Sequence, residues 1–321
     1  MKESQMSRPT THYLSKESHH NKWDNSLEPA LTIDSGDTVV FECVEASGNQ
    51  VTRESTAEDL KALDWSLFHR LTGPVAVRGA QPGDVLKVEI LDFEHQGWAW
   101  TCIAPEYGAL PDEFDGTYAL RVWEVGADER VELRPGIRIP IAPFMGVMGV
   151  ALAEPGQHST MPPRSMGGNL DSRHLVKGST LLLPVQVPGA LFSTGDGHLG
   201  QGDGEVCIAA LEGPLTVTLR ISVVKGRSIP APQFITYAPT TSKVDGMGYY
   251  ATTAAGQDLQ DGVRRAVLDM IEYLQAEYGL DRIEAYMLCS IAGDLKIAVP
   301  VLGPGHASCV TFHMPRSIFA C

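Results

Sequence analysis

The chain has 321 residues, 43% hydrophobic and 20% charged, which is length and apolar content enough for one large or two ordinary soluble domains with a substantial core. Its formal charge of −14 argues against a nucleic-acid partner, because phosphate binding needs clustered Lys and Arg, and it leaves a small neutral ligand open. No run approaches the ~20 apolar residues of a membrane span, and the polar residues 1–21 lack the apolar stretch of a secretory signal.

Six cysteines, Cys43, Cys102, Cys207, Cys289, Cys309 and Cys321, show no CxxC spacing and mostly apolar neighbours. That is the pattern of reduced thiols packed as small hydrophobes in a cytoplasmic protein. Nothing marks a base beside any of them, so a catalytic Cys is the minor reading.

In chain order, His20 and Trp23 come first as an aromatic cluster that either packs on a sheet or touches substrate. After Pro29, alternating β-branched residues on both sides of Ser35-Gly36-Asp37 predict a hairpin. Residues 54–63 read as a short helix capped by Thr52 or Ser55, with Glu58 completing a capping box. His69, ahead of the Gly73-Pro74 turn, is either a satisfied core histidine or a residue at the mouth of a site. Pro82-Gly83-Asp84 then leads into an alternating strand, with Leu86, Val88 and Ile90 opposing Val85, Lys87 and Glu89, and it reuses the turn device of Asp34-Ser35-Gly36-Asp37. Residues 98–136 carry many aromatics among glycines and prolines, as a lid or an interface would. Residues 144–151 are apolar and read as buried strand and turn.

A polar loop over residues 153–166 delivers Gly167-Gly168-Asn169-Leu170-Asp171, ahead of an apolar strand over residues 180–185. The next loop, residues 193–205, holds Asp196, His198, Asp203 and Glu205 among five glycines, a composition that lets backbone approach a ligand closely. Asp196 and His198 are two apart, so on extended chain both leave one face. Asn169 and Asp171 repeat that spacing. If the two loops emerge at one end of a sheet, Asp171, Asp196 and His198 meet as a mixed oxygen and nitrogen shell, suited to Zn²⁺, or with more oxygens to Ca²⁺ or Mn²⁺. Asp203 and Glu205 would complete the shell or supply a general base. The alternative is a set of separate solvated turns.

Residues 208–224 read as a strand pair around Glu212-Gly213-Pro214, and a proline-rich break at residues 229–232 marks the best boundary. Beyond it a strand over residues 234–239, an amphipathic helix over 258–278 ended near Gly279, a second helix over 281–291 and a strand over 295–299 are expected. The expected architecture is α+β and β-dominated: an N-terminal β-rich part (1–150), a central β part with the metal-site motifs (151–228) and a C-terminal α+β part (229–321).

Several of these runs together resemble the acetamidase/formamidase family. They include Met145-Gly-Val-Met-Gly-Val-Ala, Gly167-Gly168-Asn169-Leu170-Asp171, Gly195-Asp196-Gly197-His198 and Gln201-Gly202-Asp203-Gly204-Glu205. Trp23-Asp24-Asn25, His69-Arg70-Leu71-Thr72-Gly73-Pro74 and Gly293-Asp294-Leu295 are similar to it too, so the likeness runs through almost the whole chain. The family commonly has Met where Leu170 stands and Pro where Arg70 stands. The resemblance implies a β-rich homo-oligomer, dimer or tetramer, that binds a divalent metal and hydrolyses a short aliphatic amide to carboxylate and ammonia. In that chemistry Asp171, Asp196 and His198 would hold the metal, Glu205 would shuttle the proton, and His20 and His69 would add ligands or oxyanion donors. Asn169 and Trp23 would face the substrate. Two other readings stand beside it: a non-catalytic metal-binding or scaffold protein, and an amidase with a Glu or Cys nucleophile and a structural metal.

Overall fold

A computed structural model describes residues 9–237, 246–256, 258–300 and 308–319. Two large sheets share one continuous apolar core. The first has six strands in the order Thr11–Leu14, Thr38–Cys43, Leu215–Val224, Val85–His95, Thr180–Pro184 and Gln233–Ile235. The second has nine and runs through Gly167–Asn169, Phe144–Gly149, Phe192–Gly200, Leu211–Glu212, Trp98–Ile103 and Ala119–Glu124, with Leu71–Val77 bringing in the short strands His19–His20 and Leu31–Ile33. Both sheets draw strands from either side of residue 150. Phe41 of the first meets Phe192 of the second edge-on, with ring centroids 5.7 Å apart, and Val39, Val88 and Val217 join Val147, Leu199 and Leu211 in the core between them.

Alternation is realised where it was expected in Val85–His95. Leu86, Val88 and Ile90 are buried while Lys87 and Glu89 are half-exposed, as the period of two requires; Val85, expected on the face of Lys87 and Glu89, is buried too, clustered with Leu182 and Ile229. The two Gly-Asp turns also match. Asp37 N donates to Asp34 O and Asp84 N to Gln81 O, each with a glycine at positive φ in between.

The C-terminal part is a three-stranded antiparallel sheet, Tyr249–Gly256, Ser308–Pro315 and Asp294–Val299, covered by helix α1 (Leu259–Tyr278) and joined by α2 (Arg282–Ala292). Asp258 caps α1 through Asp261 N, and Gly279 ends it in the left-handed conformation. Asp281 and Glu284 form a capping box on α2. Among the described residues no helix is long and apolar enough to cross a membrane. The fold is α+β and β-dominated.

Several local expectations fail for tertiary reasons. Residues 193–205 are not one loop, because Phe192–Gly200 is a fully buried strand. The strands flanking Ser35-Gly36-Asp37 form no hairpin: Leu31–Ile33 pairs with Leu71–Val77 and Thr38–Cys43 with Leu215–Val224. Residues 54–63 hold only the 3₁₀ turn Asp59–Ala62, without a side-chain cap. The stretch 98–136 is largely regular, with strands Trp98–Ile103, Ala119–Glu124 and Arg130–Arg134. Leu211–Glu212 and Leu215–Val224 enter different sheets. Of the strand expected at 234–239, Gln233–Ile235 forms, and its last two residues lie outside the described residues.

Candidate active site

The strand Phe192–Gly200 carries the polar groups. A Cβ on Gly195 would lie 2.9 Å from Leu71 Cδ2, and one on Gly197 2.6 Å from Gly213 O. The glycines therefore let neighbouring chain approach this strand closely, and Asp196 and His198, alternate with them, take the other face. On the adjacent strand Gly146 stands between Met145, paired with Gly197, and Val147, paired with Gly195. Its carbonyl accepts from Leu170 N at 2.9 Å and Asp171 N at 3.3 Å. That contact delivers Asp171 to Asp196.

A Cβ at Gly146 would lie 2.5 Å from Asp196 Oδ2, 2.7 Å from Asp171 Oδ1 and 3.0 Å from His198 Cε1, so the three side chains crowd over bare backbone. On the other side of the strand Glu212 stands opposite His198. His198 Nε2 is 3.4 Å from Asp196 Oδ1 and 3.2 Å from Glu212 Oε2. Its Nδ1 faces Gln201 Oε1 at 2.9 Å, and Gln201 Nε2 donates to Asp171 O at 2.9 Å. With the amide fixed in that sense, Nδ1 of neutral His198 carries the proton and Nε2 offers its lone pair.

One ligand atom each from Asp171, Asp196 and His198 lies within 4.8 Å of the others, and so do those of His198, Glu205 and Glu212. Asn169 Oδ1, Asp171 Oδ1 and Glu212 Oε2 are buried with no hydrogen-bond partner. Orphaned acceptors of this kind each cost on the order of 1–3 kcal/mol. Together with His198 Nε2, which offers a lone pair once it gives up its proton, they suit a divalent cation, so the residues fit one.

The local chain is held under strain. His69, Asp171, Asp196 and Glu205 all have positive φ, between 42° and 58°. The charges interact strongly. Burial pushes Asp171 up to about 8, with the carboxylates of Asp196 and Glu212 adding to it against the pull of His198. Burial also resists ionisation of Asp196, but the neighbouring His69 and His198 overrule it and hold its carboxyl down, at about 2. For His198 burial opposes the imidazolium, while Glu212 and Asp196 drive its pKa well above the ordinary value. Burial and then the charge of Asp171 push Glu205 well up.

These groups line a cavity of about 100 Å³ together with the apolar side chains of Trp65, Phe68, Trp100, Met161 and Ile208. His69 is on the wall, its Nε2 3.7 Å from Asp196 Oδ2 and its Nδ1 without a partner. Cys102 also reaches the cavity, with its thiol pushed well up by burial. His20 and Trp23 do not line it. They share a separate crevice with Pro74 and Leu191, where His20 Nε2 is 2.7 Å from Ser193 Oγ and burial takes the imidazole down to about 4. Asp203 turns away toward Arg173 and Asp294.

Sequence reasoning gave no role to Gln201 and treated Glu212 as part of a turn. The one signal for Glu212 was a lone carboxylate directly after the apolar run 206–211.

The model of the acetamidase/formamidase family matches residues 5–155 and 152–321. The chain belongs to the acetamidase/formamidase family. Within it, the chain is similar to a formamidase of Methylophilus methylotrophus, 27% identical over 94% of this chain and 89% of that one. Among solved structures it is similar to an acetamidase from Bacillus halodurans, 32% identical over 94% and 97% of the two chains with a TM-score of 0.67. A gamma lactamase from Delftia acidovorans is 26% identical over 94% and 89%, with a TM-score of 0.86. The chain is an amidase, a hydrolase in keeping with its family.

Proposed function

We propose that this amidase hydrolyses a short aliphatic amide, acetamide or formamide, to carboxylate and ammonia, with a divalent cation held by Asp171, Asp196 and His198. The observation that carries the reading is the set of unpartnered buried acceptors converging with His198 Nε2 at one end of a small, half-apolar cavity. An imidazole among close-set carboxylates favours Zn²⁺, and participation of Glu205 and Glu212 would shift the preference toward Mn²⁺. When bound, the ion supplies charge that polarises the amide carbonyl and acidifies water, toward pKa ~7 for zinc.

The chain's own groups supply the rest. Asn169 Oδ1, an acceptor with no partner, receives an N–H of the amide and orients it. Glu205, half-buried on the cavity wall, takes a proton from the attacking water and returns it to the departing nitrogen. His69 stands beside Asp196 to donate to the oxygen that gains charge. The apolar wall of Trp65, Phe68 and Trp100 receives the acyl carbon chain and keeps bulk water out. The test is ammonia release from acetamide and formamide, with elemental analysis, before and after chelation. Equal turnover by metal-free protein would overturn the metal-dependent reading.

A further inference from the structure

The loops that carry Asp171 and Glu205 meet the C-terminal part at one buried charge pair. Arg173, two residues beyond Asp171, forms an ion pair with Asp294, and both side chains are almost fully buried. The same Asp294 oxygen accepts from Asp203 N at 3.1 Å, two residues before Glu205. Lys296 Nζ approaches the other oxygen at 3.7 Å from the surface side.

The backbone around this pair is closed from both directions. Leu295 N donates to Asp203 O at 2.8 Å, and Gly202 N to Ser290 O at 2.8 Å. A Cβ on Gly202 would lie 1.9 Å from Gly293 O, so the turn from α2 into Asp294–Val299 is pressed directly onto the segment between Gln201 and Glu205. One carboxylate therefore holds two loops, the one that carries Asp171 and the one that carries Glu205.

We infer that the Arg173–Asp294 ion pair is a positioning element that fixes the ligand Asp171 relative to the proton carrier Glu205, and that through it the C-terminal part sets the place of Asp171 in the metal shell. The inference rests on the metal reading proposed above. A pair kept only for stability has no need to be bonded to the backbone of one loop and to sit two residues from a ligand on the other. Replacing a buried ion pair by apolar groups is often neutral for stability, which makes the two roles separable.

The test uses the full-length protein with Zn²⁺, competed against a chromophoric chelator at a temperature well below unfolding. Arg173→Lys keeps the charge but loses the planar fork. The double variant Arg173→Met with Asp294→Leu removes both charges together and keeps the fold available if the single variant is too unstable. Each folded variant is expected to bind Zn²⁺ at least about tenfold more weakly than wild type, the scale of lost support around metal ligands. Wild-type affinity in a folded variant with only a lowered Tm would overturn the inference. Failure of the wild type itself to bind any metal would instead overturn the reading on which it rests, and the inference with it.

Discussion

Gly146→Ala tests the ligand cage with a single methyl group. Gly146 is outside the set of positive-φ residues, so alanine adds no backbone strain there. The added Cβ would lie 2.5 Å from Asp196 Oδ2 and 2.7 Å from Asp171 Oδ1, where ordinary contact begins near 3.4 Å. Each carboxylate must therefore withdraw by roughly 0.7–0.9 Å, several times the ~0.2 Å tolerance of metal–ligand distances. Overpacking of this size costs the fold on the order of 1–3 kcal/mol, which for a chain this long lowers Tm by several degrees. Metal affinity should fall by at least about tenfold and amide turnover with it. Chelator competition and ammonia release on the folded variant read both quantities. A Gly146→Ala protein with wild-type metal content and wild-type turnover would refute the claim that these two carboxylates act on one ion.

Gln201→Ala removes the acceptor on His198 Nδ1 and the donor to Asp171 O at once, and Zn²⁺ affinity is expected to drop about 10- to 100-fold in chelator competition while the fold persists. In the metal-free protein Asp171, at about 8, holds a proton at neutral pH, and the upward shifts of His198 and Glu205 favour their protonated forms too. An ion must displace those protons, so affinity should rise with pH up to about 8, and calorimetry in two buffers of different ionisation enthalpy should show proton release. Heats independent of buffer would contradict that sign. His20→Ala, at a residue outside the cavity, should lower Tm through loss of the buried Ser193 contact and leave kcat within a few-fold, as steady-state ammonia release would show. Cys102→Ser should keep turnover within about tenfold, because burial holds that thiol protonated, and a dead variant would revive a Cys nucleophile.

The first helix was legible because its signals are local: the i, i+3, i+4 apolar pattern and Gly279 at the end. The clustering of Asp171, Asp196 and His198 was legible because Asp196 and His198 keep a two-residue spacing on extended chain, and Asp171 follows a glycine pair. What failed depended on distant partners. Leu31–Ile33 and Thr38–Cys43 both alternate, yet their neighbours are Leu71–Val77 and Leu215–Val224, far along the chain. The glycines of Phe192–Gly200 argued for a loop by propensity, whereas the close approach of Leu71 and Leu215 makes them necessary in a buried strand. Glu212 acquires meaning only from its place opposite His198, which no spacing along the chain records.

The residues that line the cavity are anchored in two ways. Asp196, His198, Glu212 and also Trp100 stand on paired strands; Asp171 and Glu205 lie outside the sheets, and so do the apolar Trp65, Phe68 and Met161. Changes of size in those three side chains would be absorbed by unladdered backbone without disturbing the register beneath the carboxylates. On the proposed reading, such a scaffold can exchange one preferred acyl group for another through these three residues, while Asp196, His198 and Glu212 keep their places on the strands.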